Sequence, residues 1–256
     1  MNNSDIQSIC IIRLSALGDV THMVPIIHSI KKFRPSIKIT WVIGTAEYKL
    51  VGDIPGIEFI KFNKKMGWKA YRDVLAQLNH RTFDVVLAAQ VSMRANILAK
   101  LISSPRKIGY DKNRAKDLHS LVITESIPAA DVHVVDSFFQ FIEKIGIPHK
   151  NLDWSIPIPQ DATEFARQHI PANTSTLAIS PCSSHPLRNW DADSYAEVAN
   201  YAFTKHCMQT VLLGAPTEPE IQYGAQISRQ LNHAPVNLIG RDTIKKLLAV
   251  LNECSV

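Results

Sequence analysis

Residues 8–33 read SICIIRLSALGDVTHMVPIIHSIKKF, and this stretch decides the fold. Residues 8–14 are a short apolar run rich in branched side chains, 15–19 a turn of small residues, and 21–33 an amphipathic segment. Strand, loop and helix are predicted in that order. Pro35 cannot extend the helix, and residues 38–43 open the next strand. The alternation continues with a helix at 46–51, a strand at 58–62, a helix at 68–79, a strand at 83–89 and a helix at 92–102. Near-continuous apolar strands of this kind are what a parallel sheet covered on both faces requires.

Residues 107–110 add a short segment, a polar stretch follows, and a helix at 132–145 stops at Gly146 with Pro148 just beyond. Residues 151–160 contain Pro157 and Pro159, which disfavour both helix and central strand, so a linker is placed there. Beyond it, strands at 176–180, 210–213 and 236–239 alternate with helices at 193–205, 218–231 and 243–251. The expected fold class is α/β, with one doubly wound domain over residues 1–155 and another over 156–256. Ligands of such sheets sit at the carboxyl ends of the strands, and two facing sheets would make a cleft.

A chain of 256 residues suits two such domains, and its 46% hydrophobic and 20% charged composition is that of a folded globular protein. No apolar run reaches the roughly 18 residues of a membrane helix, and no basic-then-apolar leader opens the chain. The four cysteines lie far apart, without metal-ligand spacing, and read as reduced thiols of a cytoplasmic protein. Charge is divided unevenly. Residues 1–155 hold 21 Lys and Arg against 14 Asp and Glu, while 156–256 hold 7 against 9. The first domain should attract anions, or simply carry a solvated basic surface. Nucleic acid is a poor candidate partner, because no basic run is interleaved with aromatics.

No GxGxxG, GxxxxGK, GxSxG or HExxH is present, which removes support for dehydrogenase, P-loop, serine hydrolase and zinc protease readings. Within the first turn, Gly18 offers a positive φ or close backbone approach. Asp19 stands at the helix start, either as an N-cap or as a carboxylate at the floor of a cleft acting as general base.

The run RLSALGDVTHMVP resembles the opening of glycosyltransferase family 9, the ADP-heptose:lipopolysaccharide heptosyltransferases, in its Ser-x-x-Gly-Asp-Val-x-His turn. Val20 to His22 is more similar to the type that adds the first heptose. Collinear matches follow at Ala89, Gln90 and Arg94, at Gly109 to Asp111 with Arg114, at His133 to Asp136, across 183–190, and at 214–218.

This resemblance implies a GT-B arrangement and an inverting transfer of heptose from ADP-heptose to the Kdo and inner core of lipopolysaccharide. It implies Asp19 as base, with Ser183, Ser184, Arg188 and Glu218 on the donor. Arg188 stands where the family has a lysine against the donor diphosphate, and an arginine suits phosphate bidentately. Gly18, Gln90, Arg94 and Arg114, with Lys64 and Lys112, would form the acceptor side toward an anionic Kdo-lipid A. Peripheral contact with the cytoplasmic face of the inner membrane, no tightly bound cofactor and no metal site complete the implied picture. A family 9 enzyme with another sugar or acceptor, and a non-catalytic binding fragment, are the alternatives. Residues 254–256 look like the start of a strand, and family members continue past that point with an Asp-x-Gly-x-x-His turn. The second domain is therefore expected to be incomplete, with an exposed edge and weak donor affinity.

Overall fold

The structure, a computed structural model, describes residues 3–148, 150–170, 172–183 and 185–256. The chain forms two compact units, Met1–Pro157 and Ile158–Val256, and each is built from parallel strands joined by helices.

In the first unit the order is β1 (Ser8–Ile12), α1 (Leu17–Phe33), β2 (Lys38–Gly44), α2 (Thr45–Val51), β3 (Ile57–Phe62), α3 (Trp68–Leu78), β4 (Val85–Leu87), α4 (Met93–Leu101), β5 (Arg106–Gly109), β6 (Glu125–Ser126) and α5 (Val134–Glu143). The strands lie in the order β3-β2-β1-β4-β5-β6, all parallel. Because the chain moves outward from β1 to β3 and then returns to pair β4 against β1, the crossover direction reverses there. The reversal opens a crevice at the carboxyl ends of β1 and β4, where ligands of this fold class bind.

The centre of the sheet is dry: Ile9, Cys10, Ile11 and Ile12 are fully buried. Cys10 and Ile12 pack with Val42, Val86, Val74 and Leu98 beneath α3 and α4. Their neighbours Ile9 and Ile11 point the other way, as the pleat requires, and α1 packs against α5. Trp41 is fully buried, and its indole N–H donates to the Arg13 carbonyl at 3.1 Å, which pins the end of β1. At Gly109 a side chain has no room, since a Cβ would lie 2.3 Å from His119 Nε2 and 2.5 Å from Ile123.

The second unit runs α6 (Gln160–His169), β7 (Thr176–Ile179), α7 (Ala192–His206), β8 (Gln209–Leu212), α8 (Glu218–Gln230), β9 (Val236–Asn237) and α9 (Ile244–Glu253). Its strands are parallel in the order β7-β8-β9. One face carries Val211, Leu213 and Leu238 under Ala162, Ala166 and Val250 of α6 and α9. On the other, Ile179 and Leu212 meet Ala196, Ala199 and Ile227 of α7 and α8. Along the other edge of β7, Val256 donates to Thr176 O at 3.1 Å and accepts from Ala178 N–H at 2.7 Å, the spacing of a parallel ladder.

Several expectations change in detail. Helix α1 begins at Leu17, not at 21, so Gly18 and Asp19 lie inside its first turn. Gly18 has no positive φ. A Cβ there would meet nothing within 4 Å, so its backbone faces open space. Asp19 is not the N-cap: that position is Ala16, and Asp19 reaches back from the third helical residue to accept from Ala16 N–H at 3.3 Å. Helix α6 starts at the last residue of the expected 151–160 linker and fills a stretch to which no element was assigned, and β6 lies in the expected polar stretch.

Candidate functional site

Arg13 follows β1 directly, at the end of a strand with no exposed residue, and is itself only 9% exposed. A cation so placed needs partners. One arm of the guanidinium donates to Ala89 O at 2.6 Å, another forms an ion pair with Asp19, and its plane lies over the Phe138 ring with 5.4 Å to the centroid. The Asp19 carboxylate remains about one-third exposed. The first turn of α1 therefore presents an acid that is fixed by the guanidinium on one side and by the Ala16 N–H on another, yet open to a ligand.

Across the crevice, Gln90 continues from β4. Its side-chain oxygen accepts from Leu14 N–H at 2.7 Å and from Ser15 N–H at 3.3 Å, and its amide nitrogen reaches Ser15 Oγ at 3.4 Å. Gln90 thus ties the ends of β1 and β4 together, leaving only its NH₂ for a ligand. Beside it opens a pocket of about 380 Å³, and Gln90, Arg94, Lys64 and Lys65 are among its lining residues. Arg94 and both lysines are exposed. The Arg94 guanidinium has no hydrogen-bond partner among the described residues.

Arg114 is placed differently from the expectation for an acceptor ligand. It forms an ion pair with Asp111, donates to Ser137 Oγ and to Pro128 O at 2.8 Å each, and stacks over Tyr110. Arg114 braces the segment after β5 against α5. Burial would raise the Asp111 carboxyl, but the bonds from Arg114 and from Asn113 N–H outweigh it and hold the group low. Tyr110 packs edge-on against Phe141, and burial pushes its phenol up to about 12 against the pull of Arg13 and Arg114. Beneath this segment sits a buried polar knot. His119 pairs with Asn96 Oδ1 at 2.7 Å and accepts from Tyr110 N–H at 3.0 Å, while Asn96 donates to the carbonyls of Lys116 and Asp117. Lys112 is exposed on the same segment.

In the second unit the candidates stand on loops after β7 and β8. Ser183 N–H donates to Asn189 Oδ1 at 2.7 Å, and Ser183 Oγ donates to His185 O at 2.9 Å. The turn of Pro186–Arg188 leaves the Arg188 side chain exposed, with no partner for its guanidinium among the described residues. Ser184 lies outside the described residues. Glu218 opens α8 and accepts from Gln222 at 2.7 Å, exposed. It is Glu220 that holds the loop after β8, accepting from Ala215 N–H at 2.7 Å and from Thr217 Oγ1 at 3.2 Å. Since β7, β8 and β9 are parallel, the two loops share one end of that sheet.

Sequence reasoning gave no role to Arg13, Glu220 or Asn189. Arg13 had a signal, a charge at the end of an unbroken apolar strand; the other two had none beyond being polar residues in loops. Among the described residues, no group of three His, Cys, Asp or Glu side chains is arranged to hold a metal ion. No helix among them is long and apolar enough to cross a membrane.

Comparison with known proteins places this arrangement. Residues 71–256 match the profile of glycosyltransferase family 9 (heptosyltransferase). The chain is 35% identical over 248 residues to the lipopolysaccharide core heptosyltransferase OpsX of Haemophilus influenzae, an alignment spanning 96% of this chain and 71% of that protein. Among solved structures it is similar to a family 9 glycosyltransferase from Veillonella parvula, with a TM-score of 0.85 at 22% identity, covering 99% of this chain and 75% of that one. It is also similar to the E. coli heptosyltransferase WaaC with ADP-2-deoxy-2-fluoro heptose, with a TM-score of 0.76 at 18% identity, covering 96% and 80%.

Proposed function

The chain belongs to glycosyltransferase family 9 and is a glycosyltransferase, and from that premise we propose that it transfers heptose from ADP-heptose to the Kdo region of the lipopolysaccharide inner core with inversion. The observation that carries this reading is the Asp19 carboxylate, held open at the point where the first sheet reverses direction and oriented by Arg13.

In the proposed step, Asp19 takes the proton of the acceptor hydroxyl as that oxygen attacks the anomeric carbon of the heptose. The bond from that carbon to the β-phosphate oxygen breaks, and ADP departs with the electron pair. One displacement gives one inversion. A positioned base is worth about 10²–10⁴ in rate. The N-terminal unit takes the acceptor, with the cations of the pocket beside Gln90 facing its phosphates and Kdo carboxylates: Arg94 and Lys64 bind, Gly18 leaves room above the helix, and Gln90 offers its amide. Arg114 and Lys112 support the same side, Arg114 by bracing Tyr110. On the donor side, Arg188 and the hydroxyls of Ser183 and Ser184 meet the diphosphate, and Glu218 meets the ribose. The guanidinium and hydroxyls supply charge and hydrogen bonds to the leaving group, so the reading calls for no resident metal or cofactor. The substrates named for the Haemophilus influenzae and E. coli relatives support the sugar and the acceptor class.

The test is transfer from ADP-heptose to Kdo-lipid A by the protein and by Asp19→Asn, with the anomeric configuration of the product read by NMR. A fall of about 10³-fold in kcat with donor binding retained is expected. Equal rates for the two proteins would remove Asp19 from the chemistry, and a product with retained configuration would end the single-displacement mechanism.

A further inference from the structure

The pocket beside Gln90 mixes charges of both signs. Lys64, Lys65 and Arg94 line it as exposed cations, and with them stands one acid, Glu47, in the first turn of α2. The cations suit the acid groups of an acceptor, but that chemistry leaves Glu47 without a task. A phosphate or carboxylate is held by cations alone, and a second carboxylate beside it only weakens the attraction.

The usual role of such an acid is already filled. At the third position of a helix, a glutamate commonly reaches back to accept the N–H of the capping residue. Glu47 holds that position in α2, and its carboxylate does fold back over the capping Gly44, so closely that a Cβ on Gly44 would run into Glu47 Oε2 and the Leu14 carbonyl. The Gly44 N–H, however, donates to that carbonyl at 3.0 Å, tying the end of β2 to the end of β1. Glu47 is half-buried, with no hydrogen-bond donor and no ion-pair partner among the described residues. A carboxylate withdrawn from water without a donor costs stability unless a ligand brings donors to it.

Neutral groups of the lining are largely occupied by the fold. Asn63 Oδ1 accepts from Lys65 N–H at 3.1 Å, Ser92 Oγ accepts from Ala95 N–H at 3.4 Å, and Thr45 Oγ1 donates to Phe62 O at 3.4 Å. The charged groups that remain for a ligand are three cations and one carboxylate, in a cavity of about 380 Å³. That volume lies within the roughly 300–1,000 Å³ usual for small-ligand sites.

We propose that Glu47 is a specificity residue that reads two neighbouring hydroxyls of the acceptor sugar, each carboxylate oxygen accepting one O–H while Arg94 and the lysines hold the acid groups of the same molecule. An ionised carboxylate accepts and never donates, so it selects hydroxyls and repels anions. The ligand class that satisfies both signs of charge is a polyhydroxylated sugar acid, and an acceptor carrying phosphate in place of the diol is rejected. Leu14 and Ser15 also line the cavity and lead from β1 into the turn that carries Asp19, so a ring held by its diol is held beside the base. On the function proposed above, on which this assignment rests, the diol belongs to the Kdo residue of the acceptor.

Steady-state transfer from ADP-heptose to Kdo-lipid A by the whole chain and by Glu47→Gln tests this. Glutamine keeps the length of the side chain but loses the charge and one of the two accepting oxygens. The acceptor KM should rise about tenfold or more, with kcat within about threefold, the ADP-heptose KM within about twofold and the thermal melt unchanged, a split that loss of folding does not produce. Titration calorimetry without donor, using a lipid-free Kdo glycoside and its deoxy analogues, gives a second reading. Wild type should bind at least one deoxy analogue about tenfold more weakly than the parent glycoside, and Glu47→Gln should distinguish the two by less than about twofold. An unchanged acceptor KM in Glu47→Gln, or equal discrimination by the two proteins, overturns the assignment. A protein that binds the glycoside through Glu47 but transfers no heptose keeps the assignment and loses the function proposed above; one that transfers heptose with an acceptor KM indifferent to residue 47 does the reverse.

Discussion

Beside Asp19, the side chains of Gln90 and Arg13 tie together strand ends that lie far apart in the chain, whereas Ser183 and Glu220 on the loops of the second unit are joined to near neighbours. Gln90 reaches back 76 residues to Leu14 N–H, and Arg13 reaches forward the same distance to Ala89 O. In the second unit Ser183 bonds Asn189 six residues on, and Ala215 bonds Glu220 five residues on. A long-range bond fixes one strand end against another and so fixes the position of what stands between them. A local bond fixes only the shape of its own loop. The first unit holds the ends of β1 and β4 in one place, and the second offers loops that carry Arg188, whose guanidinium has no hydrogen-bond partner among the described residues.

The largest effect should come from cutting the long-range side of this contrast. Arg13→Gln removes the ion pair that orients Asp19, and kcat should fall about 100-fold or more with the donor KM within about threefold. Arg13→Lys keeps the charge and loses the fork, so partial rescue is expected. Arg188→Gln should do the opposite, raising the donor KM by about 10- to 100-fold through a lost charged hydrogen bond of roughly 1.5–3 kcal/mol. Steady-state kinetics on both variants decides the matter. If Arg13→Gln raises KM and spares kcat, the claim that the first unit positions the base is wrong.

Next in size is a paired test of packing. In the first unit, Gly109→Ala would put a methyl 2.3 Å from a buried imidazole that is already bonded on both sides, at a cost of about 2–3 kcal/mol in urea unfolding. In the second, Gly214→Ala would put one 2.7 Å from the end of the Glu220 side chain, which can swing away. That variant should lose about 1 kcal/mol, roughly one hydrogen bond. Equal losses would show the loop after β8 to be as rigid as the knot around His119.

How much of this was legible beforehand follows the same divide. Periodicity located β1, α1 and most of the alternating elements because their apolar faces repeat along the chain. It missed α6, whose buried residues are mainly the small Ala162 and Ala166, too small to mark a stripe. It missed β6 because two residues carry no period. Asp19 was singled out through the turn around it, and its own partners, Ala16 and Arg13, are close in sequence; the roles of Arg13, Gln90 and Arg114 as ties depend instead on Ala89, Leu14 and Ser137, which lie far along the chain. No local pattern encodes those partners. Glu218 and Glu220 are alike in sequence, both in the first turn of α8, and only the fold shows that Glu220 closes the loop.

The smallest expected effect concerns acid. Among the described residues, each unit holds one histidine whose burial favours the neutral ring, His119 in the first and His233 in the second. His119 is 1% exposed and bonded on both nitrogens, one of them accepting from Tyr110 N–H, so a proton there would face another N–H. His233 stacks on Phe203 at 4.0 Å and bonds Thr210 on one side, and it is only half-buried. In the unfolded chain either ring takes its proton near pH 6.5, and in the folded protein only at lower pH. Between those two values the unfolded state binds more protons, so stability falls as pH drops below about 6.5. Each unit of separation is worth about 1.4 kcal/mol. The carboxylates Glu58, Asp84, Asp111 and Glu125 are held low, so the stability they add is lost only below about pH 4.5, outside this window. Melting temperatures between about pH 7.5 and 5.5 should therefore fall for wild type, fall less for His119→Gln, and fall nearly as much as wild type for His233→Gln. The opposite order would mean that the tighter polar network lies in the second unit, and that the long-range bonds of the first do not make it the more rigid of the two.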